Sequence, residues 1–230
     1  MRRGVAQRRA ACYNENMIKC VIFDMDGTLG NTMPICIEGI RGAVQKATGK
    51  RLDDEQVLKY FGASEEGIIG KLMPEHKQEG IDLYLEFYRK QHLLTAPRPF
   101  EGIVPLLRAL NEKGVYCAIV SGKGEKSLNI SLEVMGIDKY FCKKEHGDEQ
   151  ATGKDVFIAK VLSELNVDKS RAVYVGDAVS DVRASRKAGV AMIAAAWAES
   201  ADKSALRAAA PDFLAESVQA AQAWLEERIN

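Results

Sequence analysis

Residues 20–28 constrain the fold of this chain more than any other stretch of its sequence. The first four, Cys-Val-Ile-Phe, form a short apolar run rich in β-branched and aromatic side chains, which predicts a fully buried strand. Two carboxylates, Asp24 and Asp26, follow at once, just before Gly27. Open α/β folds place their chemistry at the carboxyl ends of strands, whereas an isolated Asp-x-Asp-Gly indicates only a turn. The strand ends further along the chain decide between these two interpretations.

Apolar runs recur downstream and alternate with amphipathic segments. Residues 115–120 and 172–175 predict two further buried strands, residues 140–142 predict a short one, and residues 190–194 predict the final strand. The segments between them carry apolar side chains at helical spacing. Strands that alternate with helices are typical of a parallel sheet with right-handed crossovers. We therefore expect an α/β fold whose core is a Rossmann-like parallel sheet.

A long segment without strand character interrupts this alternation after the first strand. Residues 33–97 carry apolar side chains at helical spacing. A first helix is expected to begin near Pro34 and end near Gly49, and Asp53 is placed to cap a second helix. The segment therefore predicts a small all-helical cap domain inserted after the first strand.

The rest of the chain divides into a core and an amino-terminal extension. Residues 17–32 and 98–230 are expected to form the α/β core around the inserted domain. Residues 1–16 contain four arginines, one acidic residue and little apolar patterning, which favours a flexible extension, with a transit peptide as the alternative. No function is assigned to that extension.

The charge balance and the cysteine usage argue against several classes of protein. Lys and Arg together number 32, as do Asp and Glu, so no basic field predicts a nucleic-acid partner. No apolar run is long enough to span a bilayer, so no membrane partner is expected. The five cysteines form no Cys-x-x-Cys pair, which is typical of reduced thiols and indicates a cytoplasmic protein. No pattern in the sequence indicates an oligomeric state.

Polar side chains follow the predicted strands, and the ends of parallel strands share one edge of a sheet. Four carboxylates, one hydroxyl and one ammonium are therefore expected to converge there: Asp24, Asp26, Asp177, Asp181, Ser121 and Lys154. So many like charges repel one another unless a cation lies among them, and carboxylates without His or Cys suit Mg²⁺. Ser121 and Gly122, which join a strand to a helix, form a candidate phosphate site. The pattern predicts phosphoryl transfer.

Four signatures in this chain resemble those of the haloacid dehalogenase superfamily, and specifically its phosphoglycolate-phosphatase-like branch. They are Asp-Met-Asp-Gly-Thr, Val-Ser-Gly-Lys, Lys154 and Val-Gly-Asp-x-x-x-Asp, and they lie in the family's order within residues 18–195. The resemblance implies that Asp24 is a nucleophile that forms an aspartyl-phosphate, and that Asp26 is the general acid and then the base. It also implies that Asp24, the backbone carbonyl of Asp26 and Asp177 bind Mg²⁺.

The same resemblance implies the remaining roles in the site. Ser121 holds the phosphoryl group, and Lys154 neutralises charge around the nucleophile and the phosphate. Asp181 supports Lys154 or a metal-bound water. The helical insertion corresponds to the family's small mobile cap, which closes over the substrate and excludes water.

Several of these residues also have a plainer interpretation. Ser121 could cap the following helix, and Lys123 either contacts phosphate or is exposed. The branch usually has Pro after the motif lysine, and this chain does not, so Lys143 and Lys144 remain alternatives to Lys154.

The sequence as a whole predicts a Mg²⁺-dependent phosphatase that hydrolyses a small phosphorylated metabolite, with phosphoglycolate as a candidate. A sugar-phosphate mutase of the same superfamily and a non-catalytic regulatory protein that senses phosphate ligands are the alternatives. Four basic residues of the insertion are candidates for substrate contacts by charge alone: Arg41, Lys46, Lys59 and Lys71.

Overall fold

A single parallel sheet forms the centre of the fold in a computed structural model that describes residues 17–229. Six strands lie in the order β3-β2-β1-β4-β5-β6, and every neighbouring pair is parallel. They are β1 (Cys20–Phe23), β2 (Tyr116–Val120), β3 (Lys143–Glu145), β4 (Ala172–Gly176), β5 (Ala191–Ala195) and β6 (Phe213–Ala215). The predicted α/β fold class is confirmed. The expected extension over residues 1–16 lies outside the described residues.

Strand β1 lies between β2 and β4 and is buried on both faces. Its last residue, Phe23, is in register with Ile119 of β2 and with Val175 of β4. Because all three strands run in the same direction, the residues that follow them meet at one edge of the sheet. This alignment brings together segments of the chain that lie far apart in sequence.

Helices cover both faces of the sheet and also form the insertion. In chain order they are α1 (Met33–Thr48), α2 (Asp54–Leu58), α3 (Glu65–Leu72), α4 (Lys77–Thr95), α5 (Ile103–Glu112), α6 (Glu125–Met135), α7 (Lys154–Leu165), α8 (Val179–Ala188), α9 (Lys203–Ala208) and α10 (Val218–Ile229). Apolar residues of α5, α6 and α10 pack on one face of the sheet, and those of α7 and α8 pack on the other. Because helices cover both faces of the sheet, the inner strands are apolar on both sides and have continuous apolar sequences.

Helices α1 to α4 pack around an apolar core of their own, which includes Tyr84 and Tyr88. Helix α1 ends at Gly49, whose φ is +74°. The side chain of Asp53 accepts a hydrogen bond from the Gln56 backbone N–H at 2.8 Å, and the Gln56 side chain accepts one from the Asp53 N–H at 2.9 Å. The predicted end of α1 and the predicted cap of α2 are confirmed, because local backbone chemistry sets both.

Two expectations about the outer strands are wrong. Residues 140–142 are not a strand, since Tyr140 ends a short 3-10 helix and β3 begins at Lys143. Residues 190–194 do not supply the last strand, since β6 follows and pairs with β5. Both β3 and β6 have three residues and lie at an edge of the sheet. Strand β3 has the polar sequence Lys-Lys-Glu, so a search for apolar runs could not predict it.

The two connections between the sheet and the insertion run side by side. The insertion leaves after Thr32 and returns through residues 96–99. The backbone N–H of Phe100 donates a hydrogen bond to the carbonyl of Leu29 at 2.9 Å. The indole N–H of Trp197 donates to the neighbouring Thr28 carbonyl at 3.1 Å, so one of these connections is held against the sheet.

Neither a bilayer-spanning helix nor a disulfide is found in residues 17–229. None of the helices there combines the length and apolar character that crossing a membrane requires. The four cysteines in that range, Cys20, Cys36, Cys117 and Cys142, are free.

Candidate active site

The candidate site begins where β1 ends, at the buried carboxylate of Asp24. Lys154, the first residue of α7, places its ammonium 2.6 Å from Asp24 Oδ2 and 2.7 Å from Asp181 Oδ1. The other oxygen of Asp181 accepts from the backbone N–H of Ala178 at 3.1 Å, which fixes the side chain at the start of α8. Lys143 and Lys144 form surface ion pairs instead. Of the three lysines considered, Lys154 is the one that contacts Asp24.

Three carboxylates crowd around this lysine. Asp24, Asp177 and Asp181 each place an oxygen within 4.8 Å of the other two. Burial, followed by the charges of Asp24 and Asp181, raises the pKa of Asp177 to about 8. Burial also raises the pKa of Asp24, although Lys154 acts in the opposite direction. A single lysine does not balance three carboxylates, and the oxygen donors present fit a hard divalent cation such as Mg²⁺.

Gly27 is required by the close approach of the β1 loop to Asp177. Its φ is +74°, and a Cβ built there would collide with the carboxylate of Asp177. The chain can therefore pass over Asp177 only where it carries no side chain. This contact connects the loop that bears Asp24 and Asp26 to the loop that bears Asp177.

We expect Gly27→Ala to reduce turnover by about 100-fold, because it displaces Asp177 from the carboxylate cluster. Gly49→Ala is the matched control, since Gly49 has the same φ of +74° and open space around its Cβ position. Both variants should lose about 1 kcal/mol of stability to backbone strain. Steady-state rates and thermal melts of the two proteins measure the difference. Equal activity in both variants would contradict the role given to the Asp177 contact.

Ser121 and Gly122 follow β2 and reach the same edge of the sheet. The hydroxyl of Ser121 hydrogen-bonds Asp24, and the backbone N–H of Lys123 donates to Ser121 Oγ at 3.4 Å. Helix α6 begins later, with Gly124 at its N-cap position and no side-chain cap. Ser121 therefore faces the carboxylate cluster and does not cap α6.

Lys123 takes a position that neither sequence interpretation described. Its side chain is fully buried, and its ammonium lies 2.8 Å from Oε1 of Glu65, the first residue of α3. Burial opposes the charge, but Asp26, Cys36 and Glu65 together raise the pKa of Lys123 well above its usual value. Burial likewise acts to raise the pKa of Glu65, yet Lys123 holds it below its ordinary value. Both members of this buried pair are therefore charged.

Asp26 lies between this pair and the carboxylate cluster. Its Oδ1 accepts a hydrogen bond from the Thr32 hydroxyl at 2.5 Å and lies 3.4 Å from the ammonium of Lys123. The thiol of Cys36 approaches the same oxygen at 3.9 Å. The two aspartates of the first signature thus have different surroundings: Asp24 faces Lys154, and Asp26 faces the insertion.

A cavity of about 500 Å³ opens onto these residues. The core side contributes Asp24, Asp26, Ser121, Gly122, Lys123, Lys154 and Asp177 among others, and the insertion contributes Met33, Cys36, Phe61, Gly62, Ala63, Glu65 and Ile68. Within the described residues, the four basic side chains proposed for substrate contact, Arg41, Lys46, Lys59 and Lys71, do not line it. Arg41 instead pairs with Asp54 at 2.7 Å.

Fold and site together define a class of protein. A parallel α/β sheet gathers aspartates from separate strand ends around a lysine, and a cavity between the sheet edge and a helical insertion exposes them. Such a site suits an enzyme that handles phosphoryl groups with carboxylate side chains.

Comparison with known proteins establishes the family. The profile of the haloacid dehalogenase-like hydrolases matches residues 21–195, and the chain belongs to that family. Pyrophosphatase PpaX of Listeria innocua is 30% identical over 206 residues, which cover 87% of this chain and 93% of that protein. The protein is accordingly an enzyme of the phosphatase type.

Solved structures show the same fold at lower sequence identity. A predicted phosphatase from Clostridium acetobutylicum is 19% identical with a TM-score of 0.73, and the match covers 92% of this chain and 99% of that one. CbbY from Rhodobacter sphaeroides, in complex with phosphate, is 19% identical with a TM-score of 0.71, over 88% and 95% of the two chains. These likenesses support the architecture described above.

Proposed function

We propose that this protein is a Mg²⁺-dependent phosphatase that hydrolyses a small phosphorylated metabolite through an aspartyl-phosphate on Asp24. The position of Asp24 is the observation that carries the proposal. Its carboxylate lines the cavity, hydrogen-bonds Lys154 at 2.6 Å and lies within the cluster that includes Asp177. A carboxylate nucleophile is weak, so the groups that hold it in place decide its competence.

The reaction proceeds in two halves. In the first, an oxygen of Asp24 attacks phosphorus, the bond from phosphorus to the leaving oxygen breaks, and Asp26 gives that oxygen a proton. In the second, water attacks the same phosphorus and gives a proton to Asp26. The phosphorus–oxygen bond to Asp24 then breaks, which releases inorganic phosphate and restores both carboxyl groups.

Ser121, Gly122 and Lys154 contact the phosphoryl group in this proposal. The ammonium of Lys154 and the hydroxyl of Ser121 both lie beside Asp24, where the transferred phosphoryl oxygens must be held. Fixed donors at that point oppose the charge of those oxygens without reorganising during the reaction. Asp181 keeps Lys154 in position through its 2.7 Å contact.

Asp24, the backbone carbonyl of Asp26 and Asp177 would hold Mg²⁺. Support comes from the surroundings of Asp177, where burial, followed by the charges of Asp24 and Asp181, raises the pKa of its carboxyl to about 8. When bound, Mg²⁺ neutralises charge on the carboxylates and the phosphoryl oxygens. Carboxylate oxygens are the ligands that this ion prefers.

The wall contributed by the insertion limits the substrate. Its lining side chains are mainly apolar, as with Met33, Phe61 and Ile68, and its one carboxylate, Glu65, is already paired with Lys123. A mutase needs a cationic site for the second phosphate of a bisphosphate, and none of the described lining residues of the insertion is basic, whereas Arg183 and Lys187 of the core also line the cavity. The insertion therefore favours hydrolysis of a small monoester, and any second phosphate would have to bind the core.

A substrate panel tests the proposal. Purified protein with Mg²⁺ is assayed for phosphate release from phosphoglycolate, pyrophosphate, sugar phosphates and nucleotides, and for isomerisation of the sugar phosphates by ³¹P NMR. We expect phosphate release from at least one small substrate and no isomerisation. Isomerisation without release of phosphate would identify a mutase. Tight phosphate binding with no turnover of any compound would identify a sensing protein.

A further inference from the structure

We propose that Lys123 and Glu65 are positioning residues that align Asp26 for proton transfer when helix α3 docks on the core. The proposal rests on the proposed function, in which Asp26 is the general acid. It assigns a role in the reaction to an ion pair that joins the insertion to the core. Neither residue would touch the reacting phosphorus.

The first step of the argument concerns Glu65, which is bound mainly by the core. Its carboxylate accepts hydrogen bonds from Lys123 Nζ at 2.8 Å, from Ser127 Oγ at 2.8 Å and from the Gly124 backbone N–H at 2.5 Å. Two further donors, the hydroxyl of Tyr84 at 2.7 Å and the thiol of Cys36 at 3.7 Å, belong to the insertion. Three donors from the start of α6 thus converge on one side chain of α3, so docking of α3 completes this arrangement.

The second step concerns Lys123, whose ammonium is held mainly by the insertion. Besides Glu65, it meets Cys36 Sγ at 2.7 Å and the ring of Tyr88 at 4.3 Å from the ring centre. These contacts come from α1, α3 and α4. A lysine side chain has four rotatable bonds and no preferred position of its own, so these three helices determine where its charge lies.

The third step connects Lys123 to Asp26. The ammonium lies 3.4 Å from Asp26 Oδ1, the same oxygen that accepts the Thr32 hydroxyl. With Oδ1 anchored in this way, we infer that Oδ2 meets the leaving group. If α3 withdraws, Lys123 loses its ionic partner Glu65. The position of its ammonium is then no longer fixed, and Asp26 loses a fixed partner. Misplacement of an acid by about 1 Å can cost two orders of magnitude in rate.

A buried ion pair could also serve stability alone, and the leaving group separates the two roles. Proton donation matters for phenyl phosphate, whose leaving oxygen is strongly basic. It matters little for 2,4-dinitrophenyl phosphate, whose leaving oxygen is stable as an anion. A defect in acid positioning therefore lowers kcat/KM, which reports the first half of the reaction, selectively for the first substrate, whereas general damage to the site lowers kcat/KM for both.

The experiment compares kcat and KM for these two substrates in Lys123→Met, Glu65→Gln and Asp26→Asn. Lys126→Met and Glu125→Gln are matched controls, because both residues are exposed on α6. We expect the ratio of kcat/KM for phenyl phosphate to kcat/KM for the dinitrophenyl ester, which reports the first half of the reaction alone, to fall about tenfold in Lys123→Met and Glu65→Gln. The same ratio should fall further in Asp26→Asn and stay unchanged in both controls.

The double variant Glu65→Gln, Lys123→Met protects the test against simple loss of folding. Each single variant breaks the buried Lys123–Glu65 pair, leaves the remaining charge without its closest ionic partner and lowers the melting temperature, whereas the double variant removes both charges and should melt near the parent. We expect it to keep the altered substrate ratio. Equal losses of kcat/KM on both substrates, or a normal kcat/KM ratio in the double variant, would overturn the positioning role. A normal ratio in Asp26→Asn would instead overturn the proposed acid.

Discussion

Asp24→Asn is expected to abolish phosphate release, with kcat reduced by roughly 10⁴-fold or more. The amide has nearly the same shape as the carboxylate but is a much poorer nucleophile, so no aspartyl-phosphate forms. With a ³²P-labelled substrate and an acid quench, the parent protein should carry label and the variant should not. Lys154 keeps its 2.7 Å contact with Asp181 in the variant, so the variant should melt close to the parent.

The matched control for this variant is Asp138→Asn. Asp138 pairs with Lys144 on the surface at 2.7 Å, away from the cavity lining. The same chemical change there should leave kcat and the melting temperature unchanged, since exposed ion pairs add little to stability. Turnover of Asp24→Asn at the parent rate would show that another group attacks phosphorus.

Removal of divalent cations is expected to have the second largest effect. Treatment with EDTA should lower turnover to background, and excess Mg²⁺ should restore it. Without the ion, the carboxylates of Asp24, Asp177 and Asp181 repel one another and the approaching phosphate. The ion should also stabilise the fold, by about 2.7 kcal/mol at a concentration 100-fold above its dissociation constant.

Thermal melting gives this prediction a readout besides activity. Mg²⁺ should raise the melting temperature of the parent protein and raise that of Asp177→Asn much less. Asp168→Asn is the control, since Asp168 is exposed and caps a short turn that precedes β4, at the opposite end of that strand from Asp177. Full activity after dialysis against EDTA, with no metal detected by elemental analysis, would contradict the metal requirement.

Residues at strand ends were the part of the site that sequence could locate. β1, β2 and β4 are continuous apolar runs, and the parallel sheet places Asp24, Ser121 and Asp177 at one edge. The sequence also predicted helix ends that local backbone chemistry determines, namely the end of α1 at Gly49 and the start of α2 at Asp53. In both cases a short window of sequence contains all the information needed.

Contacts across the insertion could not be located in the same way. Glu65 and Lys123 lie 58 residues apart, and acidic residues in the first turn of a helix, such as Glu65 and Glu66, are common. Glu65 therefore gave no signal of its own, and Lys123, although it belongs to the Val-Ser-Gly-Lys signature, gave no indication of this partner. The choice of Arg41 by charge failed because a charge does not reveal which way its helix faces, and Arg41 pairs with Asp54.

The hydrogen bond between Phe100 and Leu29 places the two connections between the sheet and the insertion in contact. The chain therefore leaves and re-enters the core at neighbouring points, and the strands themselves are not interrupted by the insertion. The same proximity makes the insertion separable: deletion of residues 33–95 leaves two ends that a short glycine linker can join. Such a truncated protein would present its aspartates openly, to phosphorylated molecules far larger than the present cavity admits.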